Sequence, residues 1–445
     1  MNQTVQNLAK LGIAIPELSM LAKNIDIEKW AVIACDQHTQ DKHYWKRVED
    51  FAGNAPSAVN IIFPEAYLED ADKAQRIAKI HRVMADYLKD EYSKDNAILV
   101  PPRNAGVFVE RHCLHGIRKG LILALDLEHY DWRQGTQSLI RASEETIAER
   151  LPPRMEIRMN APLECPHILI FVDDKENVLL QLLEKILRGA PTAYQSPLMF
   201  GGGSVSGRLL YRKNDWDFIG DSFNHLLRHA QTQLGTDFLF AVGDGNHSLA
   251  AAKEVWMRYK AAHAGEAGIM EHPARWALAE VVNLHDIALV WTPIHRLLLN
   301  IDFEAALNAL RKLPDFSLKE AGSKAESVKW VGESETPNNR YGLISRDGLV
   351  CVESRGAYAA TIDLEPLLEA LVKEHEGAAI DYIHGEEDLF AHASGGDKNV
   401  GVLLPPFRPE GLFKSIAANG PLPRKSFSIG EACEKRYYLE CRKLF

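Results

Sequence analysis

An apolar run that breaks into a compact polar turn, and then into a helix-forming run, constrains this chain more than any other feature. Residues 238–242 are apolar and rich in strand formers, and residues 248–256 have the alanine-rich composition of a helix. Gly243 and Gly245 permit backbone angles that other residues avoid, so the chain can pass from strand to helix through a very short turn. The sequence therefore predicts a strand, a tight turn and a helix.

The start of that helix has the chemistry of an anion site. Backbone N–H groups at a helix N-terminus, together with the positive end of the helix dipole, can hold a phosphate or a carboxylate. Four side chains add carboxylate, amide, imidazole and hydroxyl groups: Asp244, Asn246, His247 and Ser248. The same residues are also ordinary turn chemistry, with Asn246 or Ser248 as a helix cap, and this structural alternative stays open.

Several colinear segments, the central turn among them, resemble the domain of unknown function 1015 family. The other matching segments are 34–37 with 44–45 after it, 141–154, 166–174, 201–203 and 422–426. They extend across most of the chain, so the chain is identified as a member of that family.

The family's Asp-Gly-x-His turn is in turn similar to the phosphate-binding turn of the ParB and sulfiredoxin superfamily. Members of that superfamily include nucleotide-hydrolysing partition proteins, ATP-dependent reductases and kinases acting on free serine. The resemblance implies a central mixed-sheet body with additional N- and C-terminal elements. Those relatives usually carry Arg where this chain has Ser248, so the role of that Arg in neutralising phosphate charge is lost here or has moved elsewhere.

Alternating strand-like and helix-like segments predict an α/β (mixed α+β) fold. We expect a strand over 30–35, and a helix that begins near residue 143 and is stopped by Pro152 and Pro153. Three regions follow one another: an N-terminal α/β region over 1–130, a central body with the turn over 131–300, and a C-terminal α+β region over 301–445.

The stretch 191–207 is too rich in glycine and proline for a long regular element. Its triple glycine, 201–203, predicts either a hairpin connection within a sheet or a flap whose backbone approaches a ligand at Gly202. A second turn, around Asp347-Gly348, predicts an antiparallel hairpin near the C-terminal region.

Four cations in the matching segments are candidates for binding phosphate, with ordinary solvated surface charges as the alternative: Arg141, Arg154, Arg424 and Lys425. Arg in particular can bind two phosphate oxygens at once. Asp36 and Gln37 follow the first predicted strand, and the ends of strands border the crevice of many α/β sheets. We therefore expect Asp36 and Gln37 to form a wall of the site.

Composition and absent motifs exclude several functions. The formal net charge of −10 argues against broad nucleic-acid binding. No apolar run approaches the ~20 residues of a membrane helix and the first residues lack a secretory signal, so we expect a cytoplasmic protein. Six scattered cysteines without a C-x-x-C pair favour reduced thiols over zinc, and no haem or flavin is indicated. Walker and Rossmann glycine motifs are also lacking.

These features predict a nucleotide- or phosphometabolite-dependent enzyme that transfers or hydrolyses phosphate on a small molecule. The turn would hold the phosphate with Gly243, Gly245, Asn246 and Ser248. His247 would hydrogen-bond a phosphate oxygen or shuttle a proton, and Asp244 would bind Mg²⁺ or orient an acceptor hydroxyl. ATP or ADP, with Mg²⁺, are the candidate cofactors. The alternative is a regulatory protein that binds a nucleotide or anionic metabolite without chemistry.

Overall fold

The computed structural model describes residues 3–92, 96–335, 337–346 and 348–445. Its backbone divides into two compact units, Met1–Leu289 with Glu431–Phe445, and Val290–Gly430. This division places the region 1–130 in the same unit as most of 131–300. Whether those regions fold as separate domains stays a prediction.

The first unit contains a large mixed sheet. The strands of this unit before residue 290 are β1 (Ile13–Ala14), β2 (Glu17–Leu18), β3 (Arg103–Asn104), β4 (Gly106–Cys113), β5 (Gly116–Asp126), β6 (Tyr130–Asp131), β7 (Ile140–Ala142), β8 (Leu163–Glu164), β9 (Leu169–Val172), β10 (Tyr194–Pro197), β11 (Ser204–Leu210), β12 (Phe240–Asp244) and β13 (Trp276–Asn283). Strands β2 and β3 pair with each other outside the large sheet, and β8 also lies outside it. The order in the sheet is β10-β11-β4-β5-β13-β9-β12-β7-β6, with β1 paired to β5. From β10 to β13 the neighbouring strands are antiparallel, whereas β13 with β9, β12 with β7 and β7 with β6 are parallel pairs. The pair between β9 and β12 is antiparallel. This mixture confirms the predicted α/β (mixed α+β) class.

Helices of the same unit share one hydrophobic core with the sheet. They are α1 (Gln3–Lys10), α2 (Ile27–Trp30), α3 (Lys42–Ala52), α4 (Lys73–Lys89), α5 (Leu151–Arg158), α6 (Val178–Ile186), α7 (Lys213–Leu234) and α8 (Asn246–Ala262). Small residues on α8 allow close packing, since Ala250, Ala251 and Ala252 are buried and α5 packs along this helix. Between β12 and α8 stands Gly245 alone, which confirms the predicted strand, turn and helix.

The helix expected to end at Pro152 and Pro153 instead begins there. A short 3₁₀ turn over Ala148–Arg150 leads into α5, whose first turn contains both prolines. Proline lacks an N–H group, and N–H groups in the first turn of a helix have no intrahelical partner in any case. The prolines therefore cost this helix nothing, and the prediction that they stop a helix was wrong.

The strand expected over 30–35 is also absent from the described chain. Trp30 is the last residue of α2, and the extended stretch after it forms only an isolated bridge between Ile33 and Tyr437. The apolar run is buried, as a strand would be. The run is apolar because it is buried, although no neighbouring strand pairs with it continuously. Its composition alone therefore led to the wrong prediction of a strand.

The second unit is built around a separate sheet and its own hydrophobic clusters. Its strands are β14 (Trp291–Leu299), β15 (Ser317–Glu320), β16 (Asn338–Ile344), β17 (Leu349–Arg355), β18 (Ala379–His384), β19 (Asn399–Leu403) and β20 (Phe427–Ile429). Its helices are α9 (Phe303–Leu310), α10 (Lys324–Gly332), α11 (Ala360–Glu374), α12 (Glu386–Ser394) and α13 (Leu412–Asn419). The expected hairpin is formed by β16 and β17, while Asp347 of its turn lies outside the described residues.

The last residues of the chain return to the first unit. Strand β21 (Arg442–Lys443) pairs with β8, and Ser19 bridges to Cys441. Arg436 is buried and forms ion pairs with Glu280 of β13 and with Glu440. Because a buried charge needs a charged partner, these contacts fix the C-terminal segment against the sheet. In the described parts of both units, no helix combines the length and the apolar character needed to cross a membrane.

Replacing Arg436 with Met should destabilise the first unit strongly. The variant would leave buried Glu440 without its guanidinium and Glu280 with only the longer contact to Arg118 at 3.6 Å. Breaking a buried ion pair typically costs about 3–5 kcal/mol of unfolding free energy. Arg133→Met is the matched control, since Arg133 pairs with Asp131 at the surface and is 72% exposed, so about 0–1 kcal/mol is expected. Denaturant unfolding measures both variants, and equal losses would contradict the structural role of Arg436.

The return of the C-terminal segment also predicts a specific cross-link. The Sγ atoms of Cys165 and Cys441 are 2.7 Å apart although 276 positions separate them in sequence. We expect thiol–disulfide exchange when the folded protein is incubated with an excess of a small-molecule disulfide. The two thiols of Cys165 and Cys441 would reduce one molecule of the reagent to two small thiols and become a disulfide themselves. A peptide mass map under non-reducing conditions would show the linked peptides, and Cys441→Ser should abolish them. A Cys165 linked mainly to another cysteine would contradict the pairing of β8 with β21.

Candidate functional site

Antiparallel pairing of β12 and β9 brings distant parts of the chain to one edge of the first sheet. Asp244, at the end of β12, lies opposite Leu169, at the start of β9. His167 stands two residues before β9, so it lies at the edge where the chain turns into α8. We call the group of polar side chains here the edge cluster; it consists of Asp36, His167, Asp244, Ser248 and Lys435.

The two glycines of the turn are required by close packing. A Cβ atom at Gly243 would lie 2.5 Å from the Phe171 ring, and one at Gly245 would lie 3.1 Å from Ile168. Gly245 also has φ +81°, which favours glycine. Having no side chain, Gly245 cannot cap the first N–H groups of α8, whose partial positive charge therefore faces the edge cluster.

Asn246 and His247 hold the preceding loop against α8. The Asn246 side chain accepts a hydrogen bond from the Ser143 N–H at 3.3 Å and contacts the Ser143 hydroxyl at 3.4 Å. His247 Nε2 accepts from the Ile147 N–H at 3.2 Å. In this conformation both side chains hold the local structure. A phosphate could contact them only by displacing these hydrogen bonds to the loop.

Ser248, His167 and Asp36 meet at one imidazole. His167 Nε2 lies 3.1 Å from Ser248 Oγ and 3.7 Å from Asp36 Oδ2. The Tyr438 hydroxyl accepts from the Cys35 N–H at 3.1 Å and lies 2.8 Å from His167 Nδ1. When the imidazole is protonated, or when the Tyr438 hydroxyl donates a hydrogen bond to Nδ1, Nε2 carries a proton that points towards Ser248 and Asp36.

Electrostatics keep Asp36 ionised. Burial by itself would raise the pKa of Asp36, but His167, a hydrogen bond from Gln37 and the charge of Lys435 together lower it below its ordinary value. Cys35 behaves oppositely, because burial and the neighbouring Asp36 raise the pKa of its thiol far above the ordinary range. The cluster therefore offers a carboxylate base, whereas Cys35 remains a neutral thiol.

Arg154 stands beside the edge cluster and pairs with Glu65; its predicted contact with phosphate stays a prediction. Their side chains are 2.5 Å apart, and the Glu65 N–H donates to the Cys35 carbonyl at 2.8 Å. Burial raises the pKa of Glu65, although Arg154 opposes the shift. Among the described residues, Arg154 Nε is a buried donor without a hydrogen-bond partner. This arrangement leaves Arg154 with donor capacity for an additional acceptor.

Lys435 supplies a second cation. Its Nζ lies 3.5 Å from Asp244 Oδ2, and both side chains are less than one fifth exposed. That distance gives Coulomb attraction without a hydrogen bond of ordinary length. Asp244 also accepts from the Gly245 N–H at 3.1 Å through Oδ1. Lys435 therefore places a positive charge beside the turn that leads into α8.

The structure does not bring every predicted residue to this edge. Arg141 is buried elsewhere: its guanidinium donates to the Ser138 carbonyl and the Thr236 hydroxyl, ahead of the start of β12. The triple glycine connects β10 to β11, which agrees with the hairpin alternative, and Gly202 packs against Tyr437.

The other two predicted cations belong to the second unit. Arg424 and Lys425 lie between α13 and β20, and the Arg424 guanidinium is 5.7 Å from the Tyr382 ring centroid. Lys425 adopts a left-handed backbone conformation with φ +58°. Their contact with phosphate at the turn stays a prediction.

The sequence interpretation missed important members of the site: His167, Glu65, Lys435 and Tyr438. A signal existed for His167, which lies within the matching segment 166–174. Lys435 and Tyr438 come from the C-terminal segment, where neither a motif nor a pattern marked them. Among the described residues, no group of three or more His, Cys, Asp or Glu side chains is placed to hold a metal ion.

Comparison with solved structures gives several matches. Free serine kinase in complex with AMP aligns with a TM-score of 0.40 and 10% identity over 73% of this chain and 92% of that one. A conserved hypothetical protein from Pyrococcus furiosus gives a TM-score of 0.37 and 10% identity over 73% and 95%. SbnI with a C-terminal truncation from Staphylococcus aureus gives 0.34 and 9% over 72% and 82%. Among curated proteins, no match was found.

A family model gives the broader assignment. The model described as a protein of unknown function (DUF1015) matches residues 21–371 and so covers both the central turn and most of the edge cluster. The chain therefore belongs to the DUF1015 family.

Proposed function

We propose that this protein is an enzyme that transfers or hydrolyses a phosphoryl group on a small molecule, at the edge cluster. One observation carries the proposal: His167 Nε2 contacts both the first turn of α8, through Ser248, and the ionised Asp36. The N-terminus of α8, which suits phosphate binding, therefore lies next to the Asp36 carboxylate, which suits proton transfer.

The phosphate would sit before the first turn of α8. Backbone N–H groups there point at an incoming anion, and the Ser248 hydroxyl can donate to it. Lys435 would exchange its long contact with Asp244 for a phosphate oxygen, and Arg154 would offer its Nε proton. These cations supply the charge neutralisation that an Arg after His247 would otherwise give.

The chemistry would begin with a hydroxyl group or a water molecule beside Asp36. As its oxygen attacks phosphorus, the O–H proton passes to Asp36 and the bond from phosphorus to the leaving oxygen breaks. His167 would orient the carboxylate through its Nε2 proton. The leaving phosphate would depart as an anion, with its charge offset by Lys435 and Arg154, and Asp36 would then release its proton to solvent. His247 would contact a phosphate oxygen, and Asp244 would orient the acceptor or hold Mg²⁺.

ATP or ADP is the proposed nucleotide. Mg²⁺ is commonly held by one or two carboxylates together with the phosphates of the substrate, and Asp244 fits that pattern without an all-protein metal cage. The relation of the turn to the ParB and sulfiredoxin superfamily stays a prediction.

The second candidate function is a regulatory protein that binds a nucleotide or anionic metabolite at the same place without turnover. It is favoured by the engagement of Asn246 and His247 with their own loop, which leaves them no part in chemistry. Saturable binding, without phosphate release and without phosphoryl transfer to an added acceptor hydroxyl, would support it.

Lys435→Met should weaken the binding of phosphate-containing ligands. Losing a charge-assisted hydrogen bond costs about 1.5–3 kcal/mol, or roughly a tenfold to hundredfold rise in Kd. Lys443→Met is the matched control, because Lys443 belongs to the same C-terminal segment but pairs with Glu91. Thermal shift and calorimetric titration with nucleotides and phosphorylated metabolites, with and without Mg²⁺, measure the effect. Equal affinities for both variants would remove Lys435 from the site.

Asp36→Asn should abolish turnover while ligands still bind. Losing general-base catalysis lowers kcat by about a hundredfold to ten-thousandfold. Asp173→Asn is the matched control, because Asp173 pairs with His285 at the opposite end of β9 and is equally exposed, 23% against 22% for Asp36. Release of inorganic phosphate from the ligands found by thermal shift is the readout. Full activity of Asp36→Asn would refute its role as base.

A further inference from the structure

A group of aromatic side chains in the first unit has no part in the proposed phosphate chemistry. The His38 ring stacks on Tyr44 with centroids 3.7 Å apart. Phe200 packs edge-on against Tyr44 at 5.9 Å and in a tilted arrangement against Phe51 at 5.6 Å. The Arg47 guanidinium lies 5.3 Å from the Phe200 ring and 5.7 Å from the Tyr44 ring. We call these five residues the aromatic patch.

Two residues of the aromatic patch have backbone conformations that side chains rarely adopt. His38 has φ +51° and Phe200 has φ +56°. Glycine would satisfy such angles without strain, and the neighbouring Gly201 and Gly203 do so. Phe200 nevertheless keeps 43% of its surface exposed, so core burial accounts for only part of its stabilisation. Its conformation presents an aromatic face to solvent beside Arg47.

The aromatic patch adjoins the edge cluster. His38 follows Asp36 by two residues, which limits the distance between their Cα atoms to about 7 Å. The hairpin that carries Phe200 packs on the C-terminal segment, since a Cβ atom at Gly202 would overlap the Tyr437 hydroxyl. The hydroxyl of the next residue, Tyr438, is hydrogen-bonded to His167. A molecule with phosphate at the edge cluster thus has an aromatic surface next to it.

The chemistry of the aromatic patch suits a flat, uncharged ring. Nucleobases stack on aromatic side chains and on the planar guanidinium of Arg, and every base offers a π-face. Burial lowers the pKa of His38, and Arg47 contributes to that shift against the opposing charge of Asp41. The imidazole is therefore neutral near pH 7 and can stack as an aromatic ring.

We propose that the aromatic patch binds the base of a nucleoside diphosphate or triphosphate whose phosphates lie at the edge cluster. This inference rests on the proposed function and assigns a binding site to the base of its nucleotide. The base would stack on the exposed part of the Phe200 ring beside Arg47 and on the outer face of His38. Tyr44, which is only 6% exposed, would support both rings from the protein side. The hairpin between β10 and β11 would then act as a recognition element that distinguishes nucleotides from other phosphates.

The test compares two probes, ADP and inorganic pyrophosphate, each titrated calorimetrically with Mg²⁺ into the full chain. Wild-type protein should bind ADP more tightly than pyrophosphate. Phe200→Ala should weaken ADP roughly tenfold, the loss expected for one base stack, and leave pyrophosphate unchanged. Phe200→Tyr should keep the affinity for ADP. Phe218→Ala is the matched control, because Phe218 is 51% exposed on α7, outside the patch.

Each other outcome overturns the inference in a recognisable way. Equal affinity of wild-type protein for ADP and pyrophosphate would leave the base without a binding site, while the proposed function survives. Equal weakening of both probes by Phe200→Ala would assign the hairpin a structural role only. If neither probe binds wild-type protein, the proposed nucleotide function fails as well. A changed sedimentation coefficient for Phe200→Ala at unchanged ADP affinity would make the patch a protein contact instead.

Discussion

The buried ion pairs of Arg436 are the constraint on which the rest of the first unit depends. Its guanidinium stands between Glu280 of the central strand β13 and Glu440, and all three side chains are buried. A Cβ atom at Gly120 would lie 2.5 Å from Glu280 Oε1, so that glycine makes room for the carboxylate. Removing three charges from water is costly unless they remain together. The C-terminal segment therefore has one position relative to the sheet, and Lys435 and Tyr438 are fixed with it.

That position turns a local motif into a site. The turn into α8 provides only N–H groups and the side chains that follow them. Antiparallel pairing of β9 with β12 adds His167, the extended stretch after α2 adds Asp36, and the C-terminal segment adds Lys435. Four parts of the chain that are remote in sequence thus bring together two carboxylates, an imidazole, a hydroxyl and an ammonium group, each within hydrogen-bond or ion-pair reach of another. Such preorganisation is what phosphoryl transfer requires, since its catalysis is chiefly positioning and electrostatics.

Features that depend on neighbours in sequence could be predicted, and those that depend on distant contacts could not. The strand, turn and helix around Gly243 and Gly245 follow from local backbone preferences, and the structure confirms them. Arg141 lies in a matching segment, yet its orientation is set by Thr236 and Phe238, which sequence spacing does not reveal. Lys435 carries no signal at all, because its place depends on Arg436 finding Glu280. The same limitation explains why the strand predicted at 30–35 is absent. This stretch is buried, but no described strand pairs with it along its length.

The charge balance of the site narrows what it can bind. Among the described side chains around the turn, Asp36, Asp244 and Glu65 face two cations, Lys435 and Arg154. The raised pKa of Glu65 reduces the negative charge, and the start of α8 adds about half a positive charge. Even so, an isolated polyphosphate would meet too little positive charge to be held strongly. A phosphate that arrives with its own divalent cation brings the missing charge, and a carboxylate such as Asp244 then attracts the complex instead of repelling it. This charge balance supports the proposed magnesium nucleotide more than it supports a bare phosphate ester as the substrate.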